Sequence, residues 1–301
     1  MIKINSSYKY LLFFFALIAL ISFCEISNSA PATNVTRNNA ACAATIPVNG
    51  TECEAQPTTQ NIIFHKVAFC TALPTEPTGT TATGMTNCTT VFENTAGATV
   101  SIQKGTGTSP NGTFTDPPYG NYTFAYVELS PVVTYKSNLV LSGTAALSSN
   151  EANAGNAVTG VDNCQTNGSA YTHWGNLLGI TCQTDVVAAS NTNVTLNSLN
   201  NNGALYAARF PGTNGNTDVY LIQSNGTLAT GSTLGNNLNV AKVIAFVPIT
   251  VKITPDTTSY NLLYNNSRGM VVWQNLNTGG NGTFYNIGFN AAYFDMTFEV
   301  Q

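Results

Sequence analysis

Residues 116–143, with the sequence DPPYGNYTFAYVELSPVVTYKSNLVLSG, carry the strongest strand pattern of the chain. Between residues 121 and 129, aromatic residues fill much of one face, and Ala, Val and Leu fill most of the other. A strand that is largely apolar on both faces is typical of the interior of a β core. After Pro131 the apolar residues alternate with polar ones, which predicts a second strand with one buried face.

The rest of the chain repeats short strand patterns that are separated by Asn- and Gly-rich turns. Residues 61–70 and 88–93 are predicted to pair, and residues 239–254 form the longest β-branched run. Pro248 interrupts that run, so it is either an edge strand or two strands that meet at a bulge. No helix of ordinary length is indicated. We expect an all-β protein with an antiparallel β-sandwich of the immunoglobulin-like or Greek-key kind, in one or two packed sandwiches.

The turn before the opening stretch resembles one in known domains. Residues 116–123 read DPPYGNYT, and a Pro-Pro-x-Gly-x-Tyr-Thr turn before an aromatic strand is similar to the turn of immunoglobulin-like, transthyretin-like and collagen-adhesin stalk domains. The resemblance covers about 13 residues, and Tyr119 interrupts the Pro-Gly step. It implies a sandwich topology and no functional residue, because one fold serves many functions.

The N-terminus has the features of a secretory signal peptide. Lys3 and Lys9 precede an apolar run of 13 residues, 11–23, and the small residues Ser27 and Ser29 follow it. Such a run is shorter than the roughly 20 residues that span a membrane. We therefore expect residues 1–29 to be removed, and the mature protein to be secreted or held at the cell surface without a membrane span.

The composition narrows the choice of partners. Only 8% of the 301 residues are charged, against roughly 25% in ordinary soluble domains. After removal of residues 1–29 we count 8 basic and 13 acidic residues, a net charge of −5, with no basic cluster. Nucleic acid and anionic membrane surfaces are therefore poor candidates as partners. The expected partner is the protein itself, as a homopolymer, with glycans or other cell-surface proteins as alternatives.

Six cysteines remain after the signal peptide, an even number that indicates disulfides in an exported chain. They form three couples that are close in sequence, with spacings of 11, 18 and 18 residues, and the predicted bridges are Cys42–Cys53, Cys70–Cys88 and Cys164–Cys182. A zinc site is disfavoured because the chain has no CxxC pair and only two histidines. We expect no metal and no cofactor.

The mature chain is predicted to have three parts. Residues 30–60 contain few large apolar residues and predict an extended N-terminal arm, with a disordered linker as the alternative. Residues 61–301 form the sandwich, with a sub-boundary near residue 192 and a long loop insertion over residues 145–192. Long loops are often functional, so Tyr171, His173 and Trp174 in this insertion are the candidate contact surface.

Catalytic motifs are missing from the sequence, and we expect no enzymatic activity and no catalytic residue. There is no Gly-x-Ser-x-Gly elbow, and the acidic residues occur singly, so that no pair of facing carboxylates can be assigned. Asn-x-Ser/Thr sequons are frequent, with two at Asn87 and Asn265. The candidate glycosylation sites are Asn34, Asn49, Asn111, Asn121, Asn167, Asn193, Asn225 and Asn281.

Together these features favour an extracellular structural protein, a pilus-like filament or cell-surface subunit. Its arm, residues 30–60, would add as a β-strand to a neighbouring subunit, which is the assembly logic of donor-strand pilins. The alternative is a secreted adhesin module that binds carbohydrate or cells through the 145–192 insertion.

Overall fold

The computed structural model describes about two thirds of the chain. The described residues are 33–34, 40–41, 46–47, 53–103, 106–142, 146–147, 158–159, 163–170, 179–183, 185, 187–196, 199, 206–230, 239–276, 283–289 and 295–301. All the described residues belong to one compact unit, Pro31–Gln301. The predicted signal peptide, 1–29, lies outside the described residues.

Every regular element among the described residues is a β-strand, so the all-β prediction is confirmed. The strands are β1 (Thr33–Asn34), β2 (Ala40–Ala41), β3 (Ile46–Pro47), β4 (Cys53–Ala55), β5 (Thr59–Cys70), β6 (Cys88–Gln103), β7 (Thr106–Gly107), β8 (Thr113–Phe114), β9 (Gly120–Leu129), β10 (Val132–Lys136), β11 (Asn138–Ser142), β12 (Ala146–Leu147), β13 (Val158–Thr159), β14 (Asn163–Thr166), β15 (Ile180–Gln183), β16 (Thr192–Thr195), β17 (Ala207–Gly212), β18 (Gly215–Ile222), β19 (Lys242–Ile253), β20 (Tyr260–Asn265), β21 (Met270–Leu276), β22 (Thr283–Phe289) and β23 (Asp295–Val300).

The strands form four sheets. The largest has 11 strands in the order β1-β17-β18-β19-β9-β5-β10-β16, with β6 paired to β5, β7 and β8. The others have the orders β15-β14-β11-β3, β13-β12-β22-β21-β4-β2 and β20-β23. Pairing is antiparallel except at β1–β17, β2–β4, β3–β11 and β12–β22. The multi-stranded antiparallel architecture is thus as the sequence predicts.

Strand β9 lies in the middle of the large sheet, between β5 and β19. Ala125, Val127 and Leu129 belong to the core on one face of the sheet, and Tyr126 belongs to a second, smaller core on the other face. The first core extends to Phe298 of β23, which gives the fold its sandwich-like layering. The expectation of a central strand that is apolar on both faces is therefore confirmed.

The single strand expected after Pro131 is in fact two strands in different sheets. Strand β10 pairs with β5 and β16, whereas β11 pairs with β14 and β3. The break is at Ser137, which is buried; its backbone N–H donates to Thr166 Oγ1 at 3.1 Å and its carbonyl accepts from Thr166 N at 3.0 Å. Because Thr166 satisfies both backbone groups, the chain can change sheets inside the core.

The bulge alternative is the correct one for Pro248. Strand β19 pairs with β18 on one side and β9 on the other, and the register with β9 shifts between Pro248 and Val251. Pairing with β18 reaches only to Phe246. Proline therefore occupies a central strand at a point where the second ladder has already ended, which is compatible with its missing N–H.

Two predicted segment boundaries need correction. The arm was expected to extend to residue 60, but β5 begins at Thr59, and Cys53–Ala55 form a buried strand that pairs with β21. The 145–192 segment was expected to be a loop insertion, but its described parts include β12, β13, β14 and β15. These strands are only two to four residues long, too short to produce a recognisable alternation in a polar sequence.

The predicted Cys70–Cys88 bridge is present. It joins the last residue of β5 to the first of β6, which stand opposite each other in the ladder, and so closes the base of the 71–87 loop. Met85 of this loop packs on the smaller core of the sheet. Cys53 and Cys164 are also disulfide-bonded, and Cys164 stands opposite Cys182 in the β14–β15 pair. The Cys42–Cys53 and Cys164–Cys182 couples stay predictions, and Cys42 lies outside the described residues.

Replacing both Cys70 and Cys88 by alanine should lower the free energy of unfolding by about 3 kcal/mol, because a bridge over a loop of about 15 residues restricts the unfolded chain by that amount. Urea titration measures the change, and the slope m should rise as the unfolded chain expands. Thr81→Ala, at an exposed position of the same loop, is the matched control. A double variant within about 0.5 kcal/mol of the parent would contradict the expectation.

Candidate binding site beside an open sheet edge

The two-stranded β20–β23 sheet leaves one edge of β20 without a strand partner among the described residues. Ser259 and Gln301 exchange both backbone hydrogen bonds, at 3.0 and 3.3 Å. Because bonded and non-bonded pairs alternate in an antiparallel ladder, Asn261 and Leu263 direct their backbone groups towards β23. Tyr260 and Leu262 consequently direct their N–H and C=O groups away from β23, to the open edge.

A cavity of about 590 Å³ runs along this open edge. It is lined by every residue of β20 but by only Phe298 of β23, and its opposite wall comes from β6, residues 108–110 and Phe114. We call it the β20 groove. Its floor is apolar and buried, with contributions that include Val91, Phe92, Val100 and Ile102. The volume lies in the range of ligand-binding sites.

Large apolar side chains stand exposed on both walls of the β20 groove. Phe114 is 55% exposed on the β8 side, and Leu263 is 44% exposed on the β20 side. Single exposed apolar residues are normal on a protein surface, but two on opposite walls of one apolar groove make the groove a candidate contact surface.

One end of the groove carries an unsatisfied hydrogen-bond donor. Asn266 is 4% exposed, and its Oδ1 accepts from Gln56 Nε2 at 2.7 Å. Its Nδ2 has no hydrogen-bond partner in the described part of the chain. A buried donor without an acceptor costs about 1–3 kcal/mol.

Tyr260 fixes the start of β20 on the large sheet. Its hydroxyl lies 3.3 Å from the carbonyl of Val91 and 3.4 Å from that of Thr115, and its ring packs edge-on against Phe69. Burial raises the pKa of Tyr260, and the negative charge of Asp116 raises it further. The groove therefore has one wall that is anchored to the core rather than free to close.

The opposite face of the large sheet carries ion pairs. Arg209 Nε and Nη2 donate to the two carboxylate oxygens of Asp218 at 2.5 and 2.7 Å, and this bond chiefly raises the pKa of Arg209. Glu128 contacts Lys242 and accepts a hydrogen bond of 2.9 Å from the Tyr126 hydroxyl.

Lys66 lies 2.8 Å from Glu93. Each of three acidic residues that occur singly in the sequence is thus paired with a cation on a neighbouring strand: Glu93, Glu128 and Asp218. Such ion pairs are typical of a structural role rather than of proton transfer.

The predicted contact surface is not among the described residues: Tyr171, His173 and Trp174 all lie outside them. Over the described ranges, no three His, Cys, Asp or Glu side chains come together as a metal site would require. The same part of the chain contains no helix long and apolar enough to cross a membrane.

The candidate glycosylation sites are placed in part. Asn111, Asn121, Asn167, Asn193 and Asn225 are exposed. Three of them have engaged side chains. Asn193 Oδ1 accepts from the Thr134 hydroxyl at 2.7 Å, Asn225 Oδ1 accepts from the Thr227 hydroxyl at 2.8 Å, and Asn167 Nδ2 donates to Thr181 Oγ1 at 3.0 Å. Asn34 belongs to β1, and Asn49 and Asn281 lie outside the described residues. Modification at these sites stays a prediction.

The β20 groove itself was not predicted. The pattern of residues 262–264 predicts a strand, but nothing in the sequence YNLLYN indicates which edge of that strand is left without a neighbour. Phe114 stands alone among polar and turn residues, and Asn266 is one of many asparagines. The only available signal was an aromatic residue in a turn-rich segment, which is too common to assign.

Comparison with known proteins gives no further constraint: no protein-family model, no curated protein and no solved structure matches the chain. Function must therefore be argued from the geometry of the groove, the arm and the sheets.

The buried tyrosines make the free energy of unfolding depend on pH in the alkaline range. Burial raises the pKa of Tyr126 above its ordinary value of 10.0, and the neighbouring Glu128 raises it further. Burial likewise raises the pKa of Tyr220, beside Glu76 and Asp218. Unfolded tyrosines lose their protons near pH 10 while the folded ones keep them, so this stabilisation is present below pH 10 and is lost above it.

We expect the melting temperature to fall as the pH rises above about 10, and the fall to be shallower in Tyr126→Phe. Tyr119→Phe, at a position 71% exposed, is the control and should follow the parent. Because Tyr126→Phe also removes a hydrogen bond, the slopes with pH are compared rather than the absolute values. Equal slopes in Tyr126→Phe and the parent would disprove the assignment.

Proposed function

We propose that this chain is a secreted structural protein, a subunit of an extracellular or cell-surface filament that assembles by strand addition of its N-terminal arm. The observation that carries the proposal is the form of the arm. Its three described strands, β1, β2 and β3, are each two residues long and pair in parallel with β17, β4 and β11.

Such contacts do not require that the arm and the sheet belong to the same chain. A parallel pair cannot be closed by a tight hairpin, and β1 pairs with residues 208 and 209, far along the sequence. Exchange of an identical element between copies is a low-cost route to assembly. An arm that adds as a strand gains main-chain hydrogen bonds and positions alternate side chains.

The edge that β1 covers supports the same proposal. Strand β17 pairs with β18 over six residues but with β1 over only two, Ala208 and Arg209. Open strand edges favour pairing with another chain. The arm of a neighbouring subunit could make the same contact without any change in the sheet.

The proposal includes an extracellular location and an immunoglobulin-like, Greek-key arrangement of the sandwich. The Cys70–Cys88 bridge and the bonded state of Cys53 and Cys164 favour an oxidising compartment. The turn before β9 and the two cores on the faces of the large sheet favour the sandwich. A surface with few charges suits repeated contact between identical subunits.

Removal of residues 30–52 from the mature chain, together with Cys53→Ser, should abolish assembly, because it deletes β1, β2 and β3. Cys53→Ser avoids a free thiol where the predicted Cys42–Cys53 bridge is lost, and the rest of the buried Cys53–Ala55 strand is kept. Sizing over a range of concentrations and negative-stain microscopy should show fibres for the parent and monomers for the truncated chain.

A chain with residues 30–52 in scrambled order, with Cys42 kept in place, is the matched control for arm length, and it should also remain monomeric. Parent protein that stays monomeric at every concentration, or truncated protein that forms the same fibres, would refute the filament function.

A further inference from the structure

We propose that the β20 groove is the acceptor site for the N-terminal arm, residues 31–52, of a second copy of the chain. The arm would lie as a strand along the open edge of β20, with alternate side chains in the groove. This role rests on the proposed function, since it specifies where an exchanged arm binds.

The open edge supplies the backbone partners. Tyr260 and Leu262 direct N–H and C=O groups away from β23, and no described strand pairs with them. Each of these two residues can pair with an added strand, as each two-residue contact of the arm does within its own chain. A strand added here would gain main-chain hydrogen bonds in place of those it gives up.

The floor and walls suit the side chains of the arm. Ala44, Ile46 and Val48 alternate with Thr45, Pro47 and Asn49, so an extended arm presents small apolar groups on one side and polar ones on the other. The apolar side would cover the buried floor and the exposed Phe114 and Leu263. Pro47 is compatible with such an added strand if its missing N–H faces away from β20.

The occupant is better supplied by a second copy than by the same chain. The described pieces of the arm lie on β17, β4 and β11, and none of them pairs with β20. The arm has 22 residues from 31 to 52, of which six are described. Its length exceeds the six residues that β20 needs, so it can leave its own sheet edges and span the groove of a neighbour.

A strand suits the open edge better than a hydrocarbon ligand would. A peptide offers an N–H and a carbonyl at each residue, which the backbone groups of Tyr260 and Leu262 can bond. An acyl chain or another apolar small molecule could fill the floor, but it would leave the β20 backbone unpaired. The combination of an apolar floor and an open edge therefore favours a peptide.

Cross-linking tests whether the arm of a second copy lies in the β20 groove. The mature chain with Leu263→benzoylphenylalanine is prepared in isotopically heavy and light forms, mixed under assembly conditions and illuminated. We expect cross-links between heavy and light copies from position 263 to residues within 31–52. Cross-links that lie only elsewhere in the partner, or only within one copy, would overturn the assignment.

Binding in trans tests the groove without polymerisation. A labelled peptide with residues 31–52 and Cys42→Ser is titrated with the mature chain and followed by fluorescence anisotropy. We expect saturable binding that weakens by about tenfold or more in the Phe114→Asp/Leu263→Asp variant, because charges then enter an apolar site.

The Tyr119→Asp/Val187→Asp variant changes two residues of similar exposure, 71% and 47%, outside the groove, and should bind like the parent. Unchanged melting temperatures confirm that both variants fold. Equal binding by the two double variants, or by a scrambled peptide, would overturn the acceptor role, as would a groove that takes a fatty acid but not the peptide.

The outcomes separate the two proposals. Fibres that form in the parent and also in Phe114→Asp/Leu263→Asp would overturn the groove but leave the filament function. Parent protein that stays monomeric would refute the filament function, and the peptide titration would then decide the groove by itself.

Discussion

The pairing of backbone N–H and C=O groups is the constraint on which this structure depends, because every regular element of the described chain is a strand. At β9 the backbone groups are paired on both sides, by β5 and β19, and the apolar side chains of β9 belong to the two cores. At Ser137 the constraint is met by Thr166, which lets the chain leave one sheet for another. At β20 the described strands meet it on the β23 side only, and the groove lies along the other side.

The ion pairs are a consequence of the same sheet geometry. Arg209 and Asp218 are opposite in the β17–β18 ladder, and Ile244, two residues from Lys242, is opposite Glu128 in the β19–β9 ladder. Strand register therefore brings cations to carboxylates that burial has removed from water. Pairing of this kind offsets the desolvation of each charge, and it explains why a face with Glu128 and Asp218 buried in it remains compatible with a folded sheet.

The sequence predicts the features that depend on local pattern. It predicts β9 from its two apolar faces, an edge strand or a bulge at Pro248 from the missing N–H, and the Cys70–Cys88 bridge from proximity in the chain. It does not predict contacts between distant segments, such as Glu128 with Lys242, or the sheet change at Ser137. The sequence also does not predict the open edge of β20 or the unbonded Nδ2 of Asn266. Each depends on how distant segments are arranged in the described structure.

The composition of β20 argues that its edge is left open for a partner. Natural sheets protect their edge strands with charges, prolines or a cover, and β17 has Arg209, Pro211 and a short cover from β1. β20, with the sequence YNLLYN, has no charge and no proline, and it lies beside an apolar groove. An unprotected edge of this kind would be an aggregation site in a protein that stays monomeric. In a protein that assembles from identical subunits, the same edge becomes the position where the next subunit's strand binds.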